Sequence, residues 1–545
     1  MPAETIESTD RAHERVPGYD VARAIAVCGM VLINFGVYLL GPPRGTPGDV
    51  ALRWLAHVPG GRASSLFVTL AGVGIARMAY GDASLARKTL LKRAVILLLL
   101  GATNLALGWW IDILHFYACY LAIAAIFFLR ATPRALLGSA VTLGLTGGVL
   151  AFALPESARA DVDRWSLVGV LRDALIDGIH PVVPWLAFLL FGMWLGRLDL
   201  RATALRRVVL ARALATFVLA EITSLVLSAL TIQRPALATI ATLVHTDWSP
   251  SPLYVLSASA TATSVIALAH ELAERAPKSR FVRTLASAGQ LTLTLYLVHA
   301  HLAIGIPRFL PDVSRAIALV ATKAHVAITL PSFMREAWTS LSIEAMLLYW
   351  LAFVVTAIPL AALYRSRFSR GPVEWLMRRL TGSPEHVPPL TTSDAPVREP
   401  PRWVWPALLV PIALLPAADV IGVAPPMTSC ADRTGIGAPS ETNGQLTLLC
   451  PRARYALTLD APTPLVLETR SGLDVYLEIR REGRTIAEDD DSGAGLDARI
   501  DATLGPGRYD VDVRPYSAAT GPFVLSITAG ALTAGESPTR SPGVP

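Results

Sequence analysis

Asp112 and His115 open the stretch WWIDILHFYACYLAI (109–123), three residues apart in an otherwise apolar run. At that spacing on a helix the two side chains share one face. A carboxylate beside an imidazole can take and return a proton near neutral pH. A charged group in hydrocarbon costs roughly 2.5–3.5 kcal/mol on insertion scales. The pair is therefore expected to face the bundle interior, in a cavity that water reaches. The plainer alternative is an interfacial ion pair that fixes helix depth.

A second candidate is His299 in TLTLYLVHAHLAIG. Helical spacing puts Thr292, Tyr296 and His299 on one face and His301 nearly opposite. His299 and Tyr296 are expected to point inward, leaving His301 at the interface. A third is His57 in WLAHVPGGRASSLFVTLAGVGIARM. Two glycines follow it and let the chain turn into the next helix. Arg62 enters the apolar run there and needs an anion partner, from substrate or protein; Asp112 is one candidate.

These residues sit in a chain of 545 residues that is 53% hydrophobic and 17% charged, with mean hydropathy +0.48. Such a balance excludes an ordinary soluble protein. The formal charge of +6 is spread in short clusters between apolar runs, which makes nucleic acid a poor partner. No secretory signal peptide is visible in the polar first 18 residues. A membrane helix needs about 20 mostly apolar residues. Eleven stretches qualify, near 19–41, 63–81, 93–110, 113–130, 135–154, 181–197, 208–231, 253–273, 283–306, 341–364 and 403–424. Lys and Arg gather in alternate loops, richest at Arg365, Arg367, Arg370, Arg378 and Arg379, so those loops and the N-terminus are expected in the cytoplasm. Eleven crossings then place the C-terminus outside.

Under that topology seven of the ten histidines lie toward the outer side: His57, His115, His180, His245, His299, His301 and His325. His13, His270 and His386 lie toward the inner side. His245 and His325 fall in polar loops, where solvation explains them.

The expected fold is an α-helical polytopic membrane protein with about eleven transmembrane helices and a small C-terminal all-β sandwich. In order, it has a cytoplasmic tail (1–18), a ten-helix membrane domain (19–380), a Pro-rich linker (381–402), an eleventh helix (403–424), an extracytoplasmic β-sandwich (425–530) and a disordered tail (531–545). The sandwich is read from alternating runs such as ARYALTLD, DVYLEIRREG and GRYDVDVRP between turn residues. Cys28 and Cys119 lie in apolar runs and read as small hydrophobes. Cys430 and Cys450 are expected to form one disulfide in an oxidising compartment. The run EDDDSG (488–493) offers carboxylates that a hard cation takes, but reads first as a solvated hairpin turn; no metal is expected.

Several stretches resemble one family. GYDVARAIAVCGMVLINFG (18–36), with Asp20, Arg23, Ala26 and Asn34, looks like the first helix of bacterial membrane acyltransferases related to heparan-α-glucosaminide N-acetyltransferase. Ala24 stands where the family has Gly. WLAH followed by SLFVTLAGVGIA, DILHFYACYLAI, and HPVVPWLAFLLFGMWLGR with Trp185 extend the likeness, DILHFYACYLAI to the family's uncharacterised bacterial branch. The resemblance covers about residues 18–365. It implies a bacterial inner-membrane enzyme that moves an acyl group, acetyl being expected, from cytoplasmic acyl-CoA to an outer acceptor, with carbohydrate as a candidate. It also implies that His57 matches the family's catalytic loop histidine. The family's acidic residue after that histidine is missing here; GGRASS with Arg62 takes its place. Residues 453–528 resemble bacterial pre-peptidase C-terminal domains, which are accessory modules.

On this reading His57, His115, Asp112 and His299 are the catalytic candidates. Arg62, Asn34, Asp20, Arg23, Trp185 and Tyr296 are the substrate-binding candidates. Arg77, Arg87 and Lys88 are candidates for the donor's phosphates, against the plainer reading as cytoplasmic loop charge. Two other classes stay open: a proton-coupled transporter, which the intramembrane Asp and His also suit, and a non-catalytic anchor presenting the β-sandwich.

Overall fold

The computed structural model describes residues 16–41, 43–44, 46–153, 166–231, 246, 251–307, 341–382, 400–407, 409, 432–446, 452–471, 475–493, 497–515 and 521–529. Cys430, Cys450 and most of the expected eleventh helix lie outside them, as do His13, His245, His325 and His386.

The chain is mostly helical, with a C-terminal β region. Among the described residues six helical stretches are long and apolar enough to cross a membrane: Pro17–Leu39, Gly48–Tyr80 (interrupted by the Gly60–Gly61 turn), Ala83–Ala106, Thr203–Leu227, Pro252–Arg275 and Ile343–Arg367. Leu114–Phe128 and Val182–Leu195 are shorter apolar helices.

Local sequence accounts for the helix starts. Helix α1 (Pro17–Leu39) has Pro in its first turn, where the missing N–H is no loss. A short helix α2 (Pro47–His57) is capped by Thr46, whose hydroxyl accepts from Asp49 N. It ends at the Gly60–Gly61 turn. Gly61 has φ +60°, and a Cβ there would lie 2.5 Å from the Tyr254 hydroxyl, so only glycine fits. Helix α3 (Arg62–Gly81) leaves this turn. Asp82 caps α4 (Ala83–Ala106) through Ser84 N and Leu85 N. Then follow α5 (Leu114–Ile123, continued by a π-helical turn Ala124–Phe128), α6 (Pro133–Ala153), α7 (Leu167–Arg172, with a π-helical turn Asp173–Asp177), α8 (Val182–Leu195), α9 (Thr203–Thr231) and α10 (Pro252–Arg275).

Expected as one helix, the stretch 283–306 is stepped. It runs through α11 (Arg280–Ala288), a 3-10 turn Gly289–Leu291, α12 (Thr292–Val298) and a π-helical turn His299–Gly305. The step has a packing cause. A Cβ on Gly289 would stand 1.7 Å from Asp20 O, so α1 crosses here at backbone contact. The chain continues in α13 (Ile343–Arg367) and α14 (Pro372–Thr381).

Nine strands form the C-terminal sandwich among the described residues: β1 (Asp432–Ile436), β2 (Ser440–Leu446), β3 (Ala453–Leu459), β4 (Thr463–Ser471), β5 (Val475–Arg481), β6 (Arg484–Asp489), β7 (Arg499–Leu504), β8 (Gly507–Pro515) and β9 (Gly521–Ala529). One sheet has the order β1-β3-β8-β5-β6 and the other β2-β9-β4-β7. Tyr455, Val511 and Ile479 from the first meet Leu467, Phe523 and Leu525 from the second in one core. The β5–β6 hairpin turns through Glu482 (φ 50°) and Gly483 (φ 79°), the two positive φ values a tight hairpin needs.

Asp489, Asp490 and Asp491 bring their carboxylates within 4.8 Å of one another. Asp489 organises the turn: it accepts from Ser492 N, Ser492 Oγ and Arg499 N. Nearby Asp497 accepts from Ser471 N at 2.7 Å, and burial pushes its carboxyl up to about 7. Because the folded form holds that proton more tightly than the unfolded chain, the stability it contributes is full below the ordinary carboxylate range. It is lost as pH rises through about 7. The sandwich should therefore melt lower at about pH 8 than at about pH 5, and Asp497→Asn should remove much of that drop. Thermal midpoints of the full chain, read on the sandwich, check this; a wild-type midpoint that rises across the range would contradict it.

Candidate functional site

Asp112 lies in the turn between α4 and α5 and is fully buried. Both of its oxygens are occupied. Oδ1 accepts from Asn104 Nδ2 at 2.6 Å and from the Tyr296 hydroxyl at 3.2 Å. Oδ2 accepts from His115 N at 3.1 Å and faces His115 Nδ1 at 2.9 Å. The Tyr296 hydroxyl itself accepts from Trp109 Nε1 at 3.2 Å and Ile113 N at 3.3 Å, which leaves its proton for Asp112. Because the carboxylate accepts at Oδ2, His115 carries its proton on Nδ1 and turns Nε2 outward. Nε2 stands 3.6 Å from Asp173 Oδ2, whose side chain is 45% exposed against 12% for His115. The pair thus runs from a sealed acid, through an oriented imidazole, to a carboxylate that solvent reaches.

Gly101 makes this turn possible. A Cβ there would lie 2.6 Å from His115 N and 2.7 Å from Asp112 Oδ2. Gly101 and Asn104, three residues apart on α4, hold the Asp112 turn from one side; Tyr296 on α12 holds it from the other.

The network continues to both faces of the π-helical turn. His299 is buried, and its Nε2 accepts from Asn34 Nδ2 of α1 at 2.8 Å. His301 meets Asn104 Oδ1 of α4 at 2.8 Å through Nε2. The two histidines reach different helices, His299 α1 and His301 α4, so both find partners. His301 therefore belongs to the network and is not merely an interfacial residue. Tyr38 closes the same end: its ring stacks on Trp109 at 4.6 Å and its hydroxyl accepts from Trp110 N at 3.2 Å.

Other expected site residues lie elsewhere. Arg62 pairs with Glu221 of α9 at 2.9 Å, not with Asp112. Glu221 also accepts from Thr246 Oγ1 at 2.8 Å and Ser257 Oγ at 2.5 Å. The physical reason is that α3 enters the bundle against α9 and α10. Trp185 is buried, with His180 at 4.4 Å and Tyr254 at 6.1 Å. With Phe116 between His180 and His115 (6.0 and 3.9 Å), these rings fill the interval from the Gly61 turn to His115. Arg62 with Glu221, and Asp112 with His115, are thus two polar centres joined by a row of rings. His57 stands at the exposed end of α2, with Gly60 against its ring.

Asp20 and Arg23 pair at 2.6 Å, and Asp20 also accepts from Gln290 Nε2 at 3.0 Å. Asn34 lies fourteen positions beyond Asp20, about 20 Å along α1. They belong to the opposite end, where Arg365 binds Gln290 Oε1 and Arg77 lies 5.4 Å over the Tyr19 ring. Arg87 donates to Ala125 O at 3.0 Å.

Comparison with known proteins bears on this geometry. Residues 15–233 match the family model for the catalytic region of heparan-alpha-glucosaminide N-acetyltransferase. Residues 318–383 match the model of a protein family of unknown function, DUF418. No curated protein matches the chain. Among solved structures, the pre-peptidase C-terminal domain of a collagenase from Bacillus anthracis is similar at 16% identity, covering 18% of this chain and 94% of that one, with a TM-score of 0.17. The first match contains Asn34, His57, Asp112, His115 and Asp173.

Proposed function

We propose that the chain is an integral-membrane acyltransferase of the bacterial inner membrane. It moves an acetyl group from cytoplasmic acetyl-CoA to an acceptor hydroxyl or amine on the outer side, with carbohydrate the favoured acceptor class. The observation that carries this reading is that the matched stretch, residues 15–233, contains the buried and oriented Asp112–His115 pair. The alternation of basic loops supports a cytoplasmic N-terminus and an outer sandwich.

In this reading the acceptor approaches from the Asp173 side. His115 Nε2 takes the acceptor's proton as its oxygen or nitrogen attacks the thioester carbonyl. The new C–O or C–N bond forms, the C–S bond breaks, and CoA leaves as the thiolate, which takes up the proton. Asp112 holds the imidazole by Nδ1 and, with Asp173, balances the imidazolium that forms. His57, in the loop before α3, captures the acyl group or orients the acceptor. His299, Asn34 and Tyr296 hold the walls. Trp185 backs His115 through the ring row, with Arg62 and Glu221 beyond it, while Arg77, Arg87 and Lys88 meet the donor's phosphates at the other end with Arg23, which Asp20 holds.

Two substitutions in the purified protein test it. His115→Gln should lower turnover about 10²–10⁴-fold with little change in donor KM, the size of a lost general base. His57→Ala should abolish transfer while the protein stays folded in the membrane. Near-normal turnover in either variant removes that residue from the chemistry.

A further inference from the structure

Both faces of the five-stranded sheet are buried where β5 and β8 run side by side. Leu477, Ile479, Val511 and Val513 point into the core. Their neighbours Tyr476, Glu478, Asp512 and Arg514 point the other way, yet are only 0–8% exposed. Charges on the outer face of a sandwich are ordinarily solvated, and buried ones need partners and a cover.

Part of that cover is internal. Arg454 holds both Asp512 oxygens, at 2.6 and 2.8 Å. Glu478 accepts from Arg514 Nη2 and Thr485 Oγ1, each at 2.5 Å. Arg514 also lies 4.9 Å over the Tyr476 ring. The rest comes from the membrane domain. Arg514 Nη1 donates to Pro43 O at 2.7 Å, and Arg452 Nη2 donates to Arg44 O at 2.6 Å. From beneath, Arg53 Nη2 of α2 donates to Gly41 O at 2.7 Å. Three carbonyls of the irregular segment between α1 and α2 thus each meet a guanidinium.

That segment is tied to the rest of the bundle as well. Gly41 N donates to Leu341 O at 2.9 Å, Arg44 N to Asp49 Oδ2 at 3.0 Å, and Arg44 reaches Glu344 at 2.5 Å. It directly follows the end of α1 that carries Asn34 and Tyr38, and it leads into α2, which ends at His57.

We propose that the outer face of β3, β8 and β5 is a docking surface for Pro43 and Arg44, in the stretch between α1 and α2 of this same chain. The docked sandwich then locks the loop and, through it, the end of α1 and the start of α2. The recognition chemistry is guanidinium to main-chain carbonyl. Glu478 holds the Arg514 guanidinium in place before docking, so little side-chain freedom is lost when it meets the carbonyl. The sandwich is therefore a fixed cap on the end of the bundle that holds the Asp112 network. This docking stands apart from the transferase reading and holds whether or not that reading does.

Hydrogen exchange of the full chain in lipid nanodiscs tests it, with no activity needed. In the wild type the Gly41 and Arg44 amides should exchange slowly. Arg452→Ala and Arg514→Lys should each speed exchange in peptides covering 41–46 about tenfold, the change from losing one net hydrogen bond. Strands β3, β5 and β8 should keep their protection. Should Arg514→Lys unfold the sandwich, Arg452→Ala alone decides, since that side chain is 30% exposed and lies 4.0 Å from Asp512. Loop amides that exchange freely in the wild type, or unchanged loop exchange in a folded Arg452→Ala protein, would overturn the proposal.

Discussion

Asp112→Leu is expected to destabilise the membrane domain by about 3–5 kcal/mol, the range for removing one member of a buried charged contact. Leucine fills a similar volume but accepts nothing. Asn104 Nδ2, the Tyr296 hydroxyl, His115 N and His115 Nδ1 would each lose their acceptor. The Asn104 amide and the Tyr296 hydroxyl are buried there, so their desolvation goes uncompensated. Asp112→Asn separates stability from chemistry. The amide keeps the shape but offers only one acceptor atom, so it cannot serve Asn104 and Tyr296 on one side and His115 on the other. Either a donor opposes a donor, or His115 turns to its other tautomer and loses the acceptor nitrogen at the Asp173 side. The expected result is a folded protein with turnover reduced about 10²–10⁴-fold, the size of a lost general base. Unfolding in mixed micelles and single-turnover rates measure the two effects. An Asp112→Asn protein with wild-type turnover would end the account of His115 given above.

Gly72→Val should disrupt the bundle where α3 crosses α8. A Cβ at Gly72 would lie 2.1 Å from Leu189 O, and one at Gly192 would lie 2.1 Å from Thr69 O. Two glycines thus face each other's backbone, so neither side can yield by rotating a side chain. Overpacking of a core commonly costs about 1–3 kcal/mol, and a backbone obstacle puts this site at the upper end or beyond. Gly74 on the same helix has nothing within 4 Å of its Cβ position. Gly74→Ala should therefore leave the fold intact or gain a few tenths of a kcal/mol or more from helix propensity. Thermal midpoints by size-exclusion would show the contrast. Equal midpoints for the two variants would mean that α3 and α8 do not cross at these residues.

What the sequence made legible follows the range of the interactions. The apolar runs at 19–41 and 63–81 are α1 and α3 within two residues at either end. The helix under the run at 93–110 is Ala83–Ala106: it starts earlier because Asp82 caps it and Arg87, Lys88, Lys92 and Arg93 are good helix formers despite their charge. Helix α2 was missed, although Thr46 and Pro47 mark its start, because it is too short for a span. Asp112 and His115 were legible as a pair since their contact is local, three residues apart. Their other partners were not. Asn104 and Asp173 carry no signal of their own, Glu221 lies 159 residues from Arg62, and His301 could be judged only by knowing that α1 and α4 flank its helix. In the sandwich, alternation marks β3 to β5 and β7 to β9, while β6 and the cover over the outward charges of β5 and β8 carry no local signal.

The most direct test of the transferase is to supply radiolabelled acetyl-CoA to the cytoplasmic face of inverted membrane vesicles and follow the label. The account predicts that label passes to an acceptor inside the vesicles, that it does not when donor reaches only the opposite face, and that His115→Gln stops the transfer. Label that stays in acetyl-CoA with carbohydrate hydroxyl and amine acceptors enclosed, or that moves equally well in His115→Gln, would contradict it.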